Sequence, residues 1–227
     1  MIVSIALMLS SCGNGKTTDN KLEFPKTTWG MMIDEVKEAL ALNEDSISNE
    51  MIGEKGSMIE IENYESELLK TSKIVLNFID TGDGVQRLCT ANVYYSEETT
   101  SEQVVEALKK EYGDPISSIT EYQLSGSTLQ PDTLKSYEYK ESNHVKVWGS
   151  SSIADIIDKK KESEYEAAWE EKQVGLTEEN WADFAKNTRL STIIFSDGEG
   201  SDSPEKGIYL NGYHRVVYDG IKSQVEK

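Results

Sequence analysis

Little in this sequence belongs to the usual apparatus of catalysis. It has two cysteines, Cys12 and Cys89, and two histidines, His144 and His214. Neither histidine has a second His or Cys at ligand spacing, which argues against the common zinc arrangements. A nucleophile elbow, a phosphate-cradling glycine loop and a dinucleotide fingerprint are all missing from the sequence. The stretch Gly149-Ser150-Ser151-Ser152 lacks the flanking glycine that a serine elbow needs. The sequence therefore names no catalytic residue, no metal ligand and no cofactor. Positive charge is also short: 23 Lys and Arg face 41 Asp and Glu, for a net charge of -18. That balance repels phosphate backbones and anionic bilayers alike. Nucleic acid is not an expected partner, and the domain is not expected to lie flat on a membrane.

What is present begins at the first residues. Segment 2–9 is uncharged and mostly apolar, yet far shorter than the roughly 20 residues that span a bilayer. Two small residues and a cysteine follow. Leu9-Ser10-Ser11-Cys12 resembles the lipobox of bacterial lipoprotein precursors. The resemblance implies a signal peptide at 1–11, cleavage before Cys12 and a diacylglyceryl group on its thiol. It also implies a cell-membrane protein on the extracytoplasmic side, which is periplasmic if the envelope is Gram-negative. Two acyl chains, at about 0.8 kcal/mol per buried methylene, hold far more firmly than one. No Lys or Arg precedes the apolar run, whereas a secretory signal begins with positive charge, so a start further upstream is expected. Residues 12–23 are small and polar as far as Lys21, and are expected to act as a flexible tether.

With Cys12 committed to lipid, Cys89 has no partner for an internal disulfide. It alternates with Ala91, Val93 and Tyr95 on one strand face, the pattern of a small buried hydrophobe.

Hydrophobic periodicity divides the rest. In 31–42, Ile33, Val36 and Leu40 form a helical stripe. Strand-like runs follow at 58–64, 73–79 and 87–95, the last two separated by Thr81-Gly82-Asp83-Gly84. A second helix is marked by Thr100 as cap, Gln103 three residues on, the stripe Val104, Val105, Leu108 and Tyr112, and an exit at Gly113 and Pro115. Strands are expected again at 116–124, 134–140 and 144–148. The order helix, strand, strand, strand thus appears twice, and Glu35-Val36 to Leu40 resembles Gln103-Val104 to Leu108. The expected fold class is α+β: antiparallel sheet with flanking helices, in a tandem helix-strand-strand-strand repeat. Its units would be 24–98 and 99–227. The second would carry a helical insertion at about 151–187, a strand at 190–195 and a C-terminal hairpin over 208–216 turned at Asn211-Gly212.

Trp29-Gly30-Met31, Glu35-Val36 and Leu40, together with Tyr112-Gly113-Asp114-Pro115, resemble the helix entry and exit of small secreted modules. These modules have SmpA/OmlA-type and β-lactamase-inhibitor-protein-like folds. The resemblance covers 24–150 through short motifs. It departs where Met32 replaces a capping Ser or Thr and where Leu-Gly-x-Pro is missing after the first helix. It implies a protein-binding or scaffolding module, with the matched residues serving the fold.

The remaining chemistry is sparse. His144 shares a strand face with Lys146 and is expected at the solvent. His214 is expected beside the Asn-Gly turn, across from Tyr209. The loop 196–203 places oxygens at Asp197, Glu199 and Ser201. Asp202 and Ile208, however, stand where a calcium loop needs Gly and Glu, which favours a plain acidic loop. Trp29, Trp148, Trp169 and Trp181 are expected to anchor the core more than to stack on sugars. The leading expectation is a lipid-anchored, non-enzymatic module, held on the membrane through Cys12, that binds a protein or an envelope component. The alternative is a hydrolase of cell-wall glycan or peptide, which would need two facing carboxylates in a cleft, one with a raised pKa. A two-lobed solute-binding protein ranks last, because strands and helices do not alternate.

Overall fold

The computed structural model describes residues 20–66, 69–125, 133–199 and 206–227. The lipobox, Cys12 and all but the last residues of the expected tether lie outside the described residues. The fold is α+β. Helix α1 (Ile33–Ala39) leads to strands β1 (Ile47–Ile52), β2 (Gly56–Glu62), β3 (Glu65–Ser66), β4 (Leu69–Asp80) and β5 (Gln86–Tyr95). Helix α2 (Ser101–Tyr112) precedes β6 (Ser118–Ser125), β7 (Thr133–Lys140) and β8 (Val145–Gly149). Then come α3 (Ile153–Ile156), α4 (Glu162–Lys172), α5 (Glu178–Asn187), β9 (Thr192–Ser196), β10 (Gly207–Asn211) and α6 (Tyr213–Val225).

The main sheet runs β1-β2-β4-β5-β10-β9-β8, antiparallel throughout, with β3 paired to β4 beside it. β6 and β7 form a separate two-stranded ribbon, with an isolated parallel bridge from Thr120 to Thr188. Five strands, not three, stand between α1 and α2, three follow α2, and the two sets do not build matching sheets. Of the second set only β8 enters the main sheet, and β9 and β10 stand between it and β5. Strand β1 and the short β3 go beyond the strands expected from sequence. In β1 only Ile47 is even partly shielded, so the segment lacks the alternation that marks a strand.

One sheet face carries the main core. Ile59, Ile61, Ile74, Leu76, Phe78, Ala91 and Val93 are 0–1 % exposed, and Val36 of α1 and Val104 and Leu108 of α2 pack against them. Each such side chain stabilises the fold by about 1.5–3 kcal/mol relative to exposure. Thr100 caps α2 as its sequence promises, with the Gln103 N–H donating to Thr100 Oγ1 and the Thr100 N–H to Gln103 Oε1. Gly113 ends that helix at φ 84°. The entry motif is pinned to β5: the Gly30 N–H donates to Leu88 O and the Leu88 N–H to Met31 O. The residues expected to end the tether are packed rather than free. Leu22 is 2 % exposed, Lys21 O accepts the indole N–H of Trp29, and Glu23 O accepts the hydroxyl of Tyr112.

A second core joins α3, α4, α5 and α6 around Tyr165, Trp169, Phe184 and Ile221. A two-stranded ribbon is marginal alone, and β6–β7 is held between this helical lobe and the sheet. Tyr122 stacks edge-on against Phe184 at 5.2 Å, and its hydroxyl donates to Asp183 Oδ2 at 2.8 Å. Ile119 approaches Gly149 on the sheet side.

The expected C-terminal hairpin at Asn211-Gly212 is not formed: β10 stops at Asn211 and α6 starts at Tyr213. Asn211 Oδ1 accepts the N–H of Tyr213, as a helix-entry residue does. Gly212 is there for space, since a Cβ on it would lie 2.2 Å from the Trp29 ring. Its φ of -121° is ordinary, so the left-handed turn that Asn-Gly suggested is absent. The strand partners of β10 are β5 and β9, with Leu210 opposite Ala91 and Ile193.

Candidate functional site

Among the described residues, the helix core of α1 and α2 lies on one face of the sheet, and the second face of its central strands has no such cover. Burial alternates along β2, β10 and the second half of β9, buried on the α1–α2 side and half-buried on the other. That is the signature of a one-sided antiparallel sheet. Cross-strand register lays three rows across the second face. The first is Thr192, Asn211, Thr90 and Asn77; the second Ile194, Tyr209, Asn92 and Val75; the third Ser196, Gly207, Tyr94 and Lys73.

The first row is a continuous polar strip anchored by a buried acid. Glu121 of β6 is 6 % exposed, and its Oε1 accepts the Thr192 hydroxyl at 2.6 Å and the Asn211 amide at 3.4 Å. Further along, the Asn77 amide donates to Thr90 Oγ1 at 2.9 Å. A carboxylate taken out of water must be compensated by such donors. Here they fix the ribbon over the β8–β9 side of the face. Tyr137 and Tyr139 of β7 lie opposite Glu121 and Ile119 in register, on that same side. Tyr137 is 44 % exposed. Burial pushes the Tyr209 phenol well above its ordinary pKa, with the Glu121 carboxylate and Tyr139 adding to the effect. In the third row the Lys73 ammonium lies 4.6 Å from the Tyr94 ring centre, a cation–π contact. Beside it opens a cleft of about 450 Å³ lined by Lys73, Tyr94, Glu97, Asp197 and Lys206, among others. The surface is thus a shallow aromatic and amide floor with one corner where two lysines meet two carboxylates.

The residues singled out from sequence are distributed elsewhere. His144 precedes β8 with its ring Nδ1 2.9 Å from Asp197 Oδ2. It is half exposed, with Asp197 as its close polar partner. His214 is on a helix, not beside a turn. It is 8 % exposed and enclosed by Trp169, Phe184 and Tyr213. Burial lowers its pKa to about 4, against the opposing effect of a hydrogen bond with the Arg189 backbone. Cys89 is fully buried, its thiol pushed up to about 12 by desolvation. The four tryptophans are 0–5 % exposed, as core anchors should be. Residues 200–205 of the acidic loop lie outside the described residues; Asp197 and Glu199 within it both face His144.

Among the described residues no cluster of His, Cys, Asp and Glu is arranged to hold a metal ion. Among the described residues, Glu23 and Glu166 are raised above the usual range. Glu23 is raised by burial, and Glu166 by partial burial and its neighbours Glu170, Glu178 and Glu162. The first sits in the entry segment and the second on α4, so they do not form the facing pair that a glycosidase needs. No helix among the described residues is long and apolar enough to cross a membrane. Comparison with protein-family models, with curated proteins and with solved structures finds no match to this chain.

The open face was partly visible in sequence. Lys73, Val75 and Asn77 alternate with Ile74, Leu76 and Phe78, which marks a strand with one wet side. Glu121 gave no such signal, because nothing local distinguishes a buried acid from the chain's many surface acids.

Proposed function

We propose that this chain is a lipid-anchored extracytoplasmic binding module, tethered through Cys12, that presents its open sheet face to a protein or envelope partner. The observation that carries the reading is the part of the three-row face that the β6–β7 ribbon leaves uncovered. Tyr94, Tyr209, Asn92 and Asn77 are held half-buried by strand register instead of being covered by helices. Tyrosine offers large contact area at low entropic cost and one polar end, and amides adapt their hydrogen bonds to the partner. The lipobox supports the location, and the packed entry segment starts the domain close behind a short tether.

The test is capture from detergent-solubilised envelopes with wild type and a face variant, Tyr94→Glu with Asn92→Lys. Both substitutions point away from the core. The expected result is a partner recovered reproducibly by wild type and lost with the variant. Recovery of the same proteins by both, or of none, would overturn the role given to this face. Fractionation of Cys12→Ala tests the anchor separately.

A further inference from the structure

The two edges of the sheet are treated differently. At β8 the edge is stopped by Ile116, which bridges to Val147 and donates its N–H to Val147 O at 2.8 Å. At β1 no described strand lies outside. The phase of its ladder follows from the turn that closes it, where the Gly53 N–H donates to Gly56 O at 3.0 Å. Hydrogen-bonded and open positions alternate in an antiparallel pair. Met51 and Asn49 therefore bond to β2, while the N–H and C=O groups of Ile52 and Glu50 point outward.

Exposed edges are usually blunted by Lys, Pro or inward charge. β1 has neither Lys nor Pro, and its one charge, Glu50, is held by Lys37 at 2.8 Å. A bulge between Ile47 and Asn49 disturbs only its first half. At the other end Met51 is 59 % and Ile52 76 % exposed. The flanking sequence carries Glu44, Asp45, Glu54, Glu60 and Glu62 against Lys55.

We propose that the outer edge of β1 accepts an extended segment of a partner protein, with basic and apolar residues alternating, as an added strand. The main-chain groups of Glu50 and Ile52, unpaired among the described residues, call for a strand, Ile52 for apolar side chains on one face, and Glu60 and Glu62 on the other face for Lys or Arg. A second copy of this chain would bring the same acidic edge and the same net charge of -18, which opposes self-pairing. This edge is separate from the sheet face above, and its test stands or falls independently of that face.

The probe is a fluorescent Lys-Val repeat hexapeptide titrated into the purified chain. Two controls accompany it: a Glu-Val repeat, and a Lys-Val repeat N-methylated on alternate amides. Ile52→Pro removes an outward N–H and leaves the ladder to β2 intact. The expected result is saturable binding of the Lys-Val probe, with each control and Ile52→Pro weaker by about tenfold or more, the worth of a good main-chain hydrogen bond. In wild type, bound probe should slow hydrogen exchange at the Glu50 and Ile52 amides, a readout that does not depend on the variant folding. Equal affinity for the methylated probe, unchanged exchange at those amides, or dimerisation abolished by Ile52→Pro would each overturn the proposal.

Discussion

Lowering the pH should loosen the helical lobe through one residue, His214. Its ring is packed among Trp169, Phe184 and Tyr213, and its pKa is about 4 against an ordinary 6.5. As the pH falls through 6.5 the unfolded chain takes up a proton that the native imidazole refuses until about 4. The unfolded state then binds more protons, so stability falls with pH across that window and is intact above it. One pKa unit corresponds to about 1.4 kcal/mol, so the depression amounts to about 3 kcal/mol. That is a large share of the roughly 5–15 kcal/mol that holds a typical domain together.

The assay is urea unfolding followed by tryptophan fluorescence, with Trp169 and Trp181 as reporters within the same lobe, at steps from neutral pH to about 4. Many carboxylates titrate in the same range. The informative quantity is therefore the difference between wild type and His214→Gln, which keeps a donor for the Arg189 carbonyl but does not titrate. Wild type should be the more stable at neutral pH, and its advantage should shrink by about 3 kcal/mol by pH 4. Parallel pH profiles for the two proteins would refute the reasoning.

Four further outcomes are expected. Gly212→Ala would drive a methyl into the Trp29 ring, and overpacking of this kind costs about 1–3 kcal/mol or more, so Tm in calorimetry should fall by about 5–10 °C; an unchanged Tm would sink the close-approach explanation. Thr192→Val removes the shorter hydrogen bond to buried Glu121 and should cost about 1–3 kcal/mol in urea melts, whereas Thr192→Ser should cost less. Cys89, with its thiol pushed up to about 12, should resist a water-soluble thiol reagent until the protein unfolds; rapid labelling of native protein would contradict its burial. Cys12→Ala should move the protein from the detergent phase to the aqueous phase on temperature-induced phase separation, and persistence in the detergent phase would remove the lipid anchor from the account.

The face and the edge proposed as binding surfaces differ in how far sequence reaches them. Alternation along β4 and β5 marks one strand face as apolar and the other as mixed, because side chains in a strand point to opposite sides by turns. Which strands then stand side by side is not a local property. Tyr209 and Asn92 are more than a hundred residues apart, yet they are neighbours because β10 returns to pair with β5. Strand β1 shows no alternation because most of its residues are exposed, and it is a strand through its pairing with β2.

Local signals settled the elements whose hydrogen bonds close within a few residues. Helix α2 was marked by its cap, stripe and glycine exit, since each depends on groups adjacent in the chain. The core roles of Cys89 and the tryptophans followed from transfer of apolar surface out of water, which any compact fold would have required. Tertiary structure decided the rest. It made Asn211-Gly212 a helix entry under the Trp29 ring, placed His214 in an apolar box, and set the β6–β7 ribbon apart from the sheet. It also decided which sheet face stays open and which edge stays unpaired. These depend on contacts between segments far apart in the chain, where the space left by one side chain fixes what another can do.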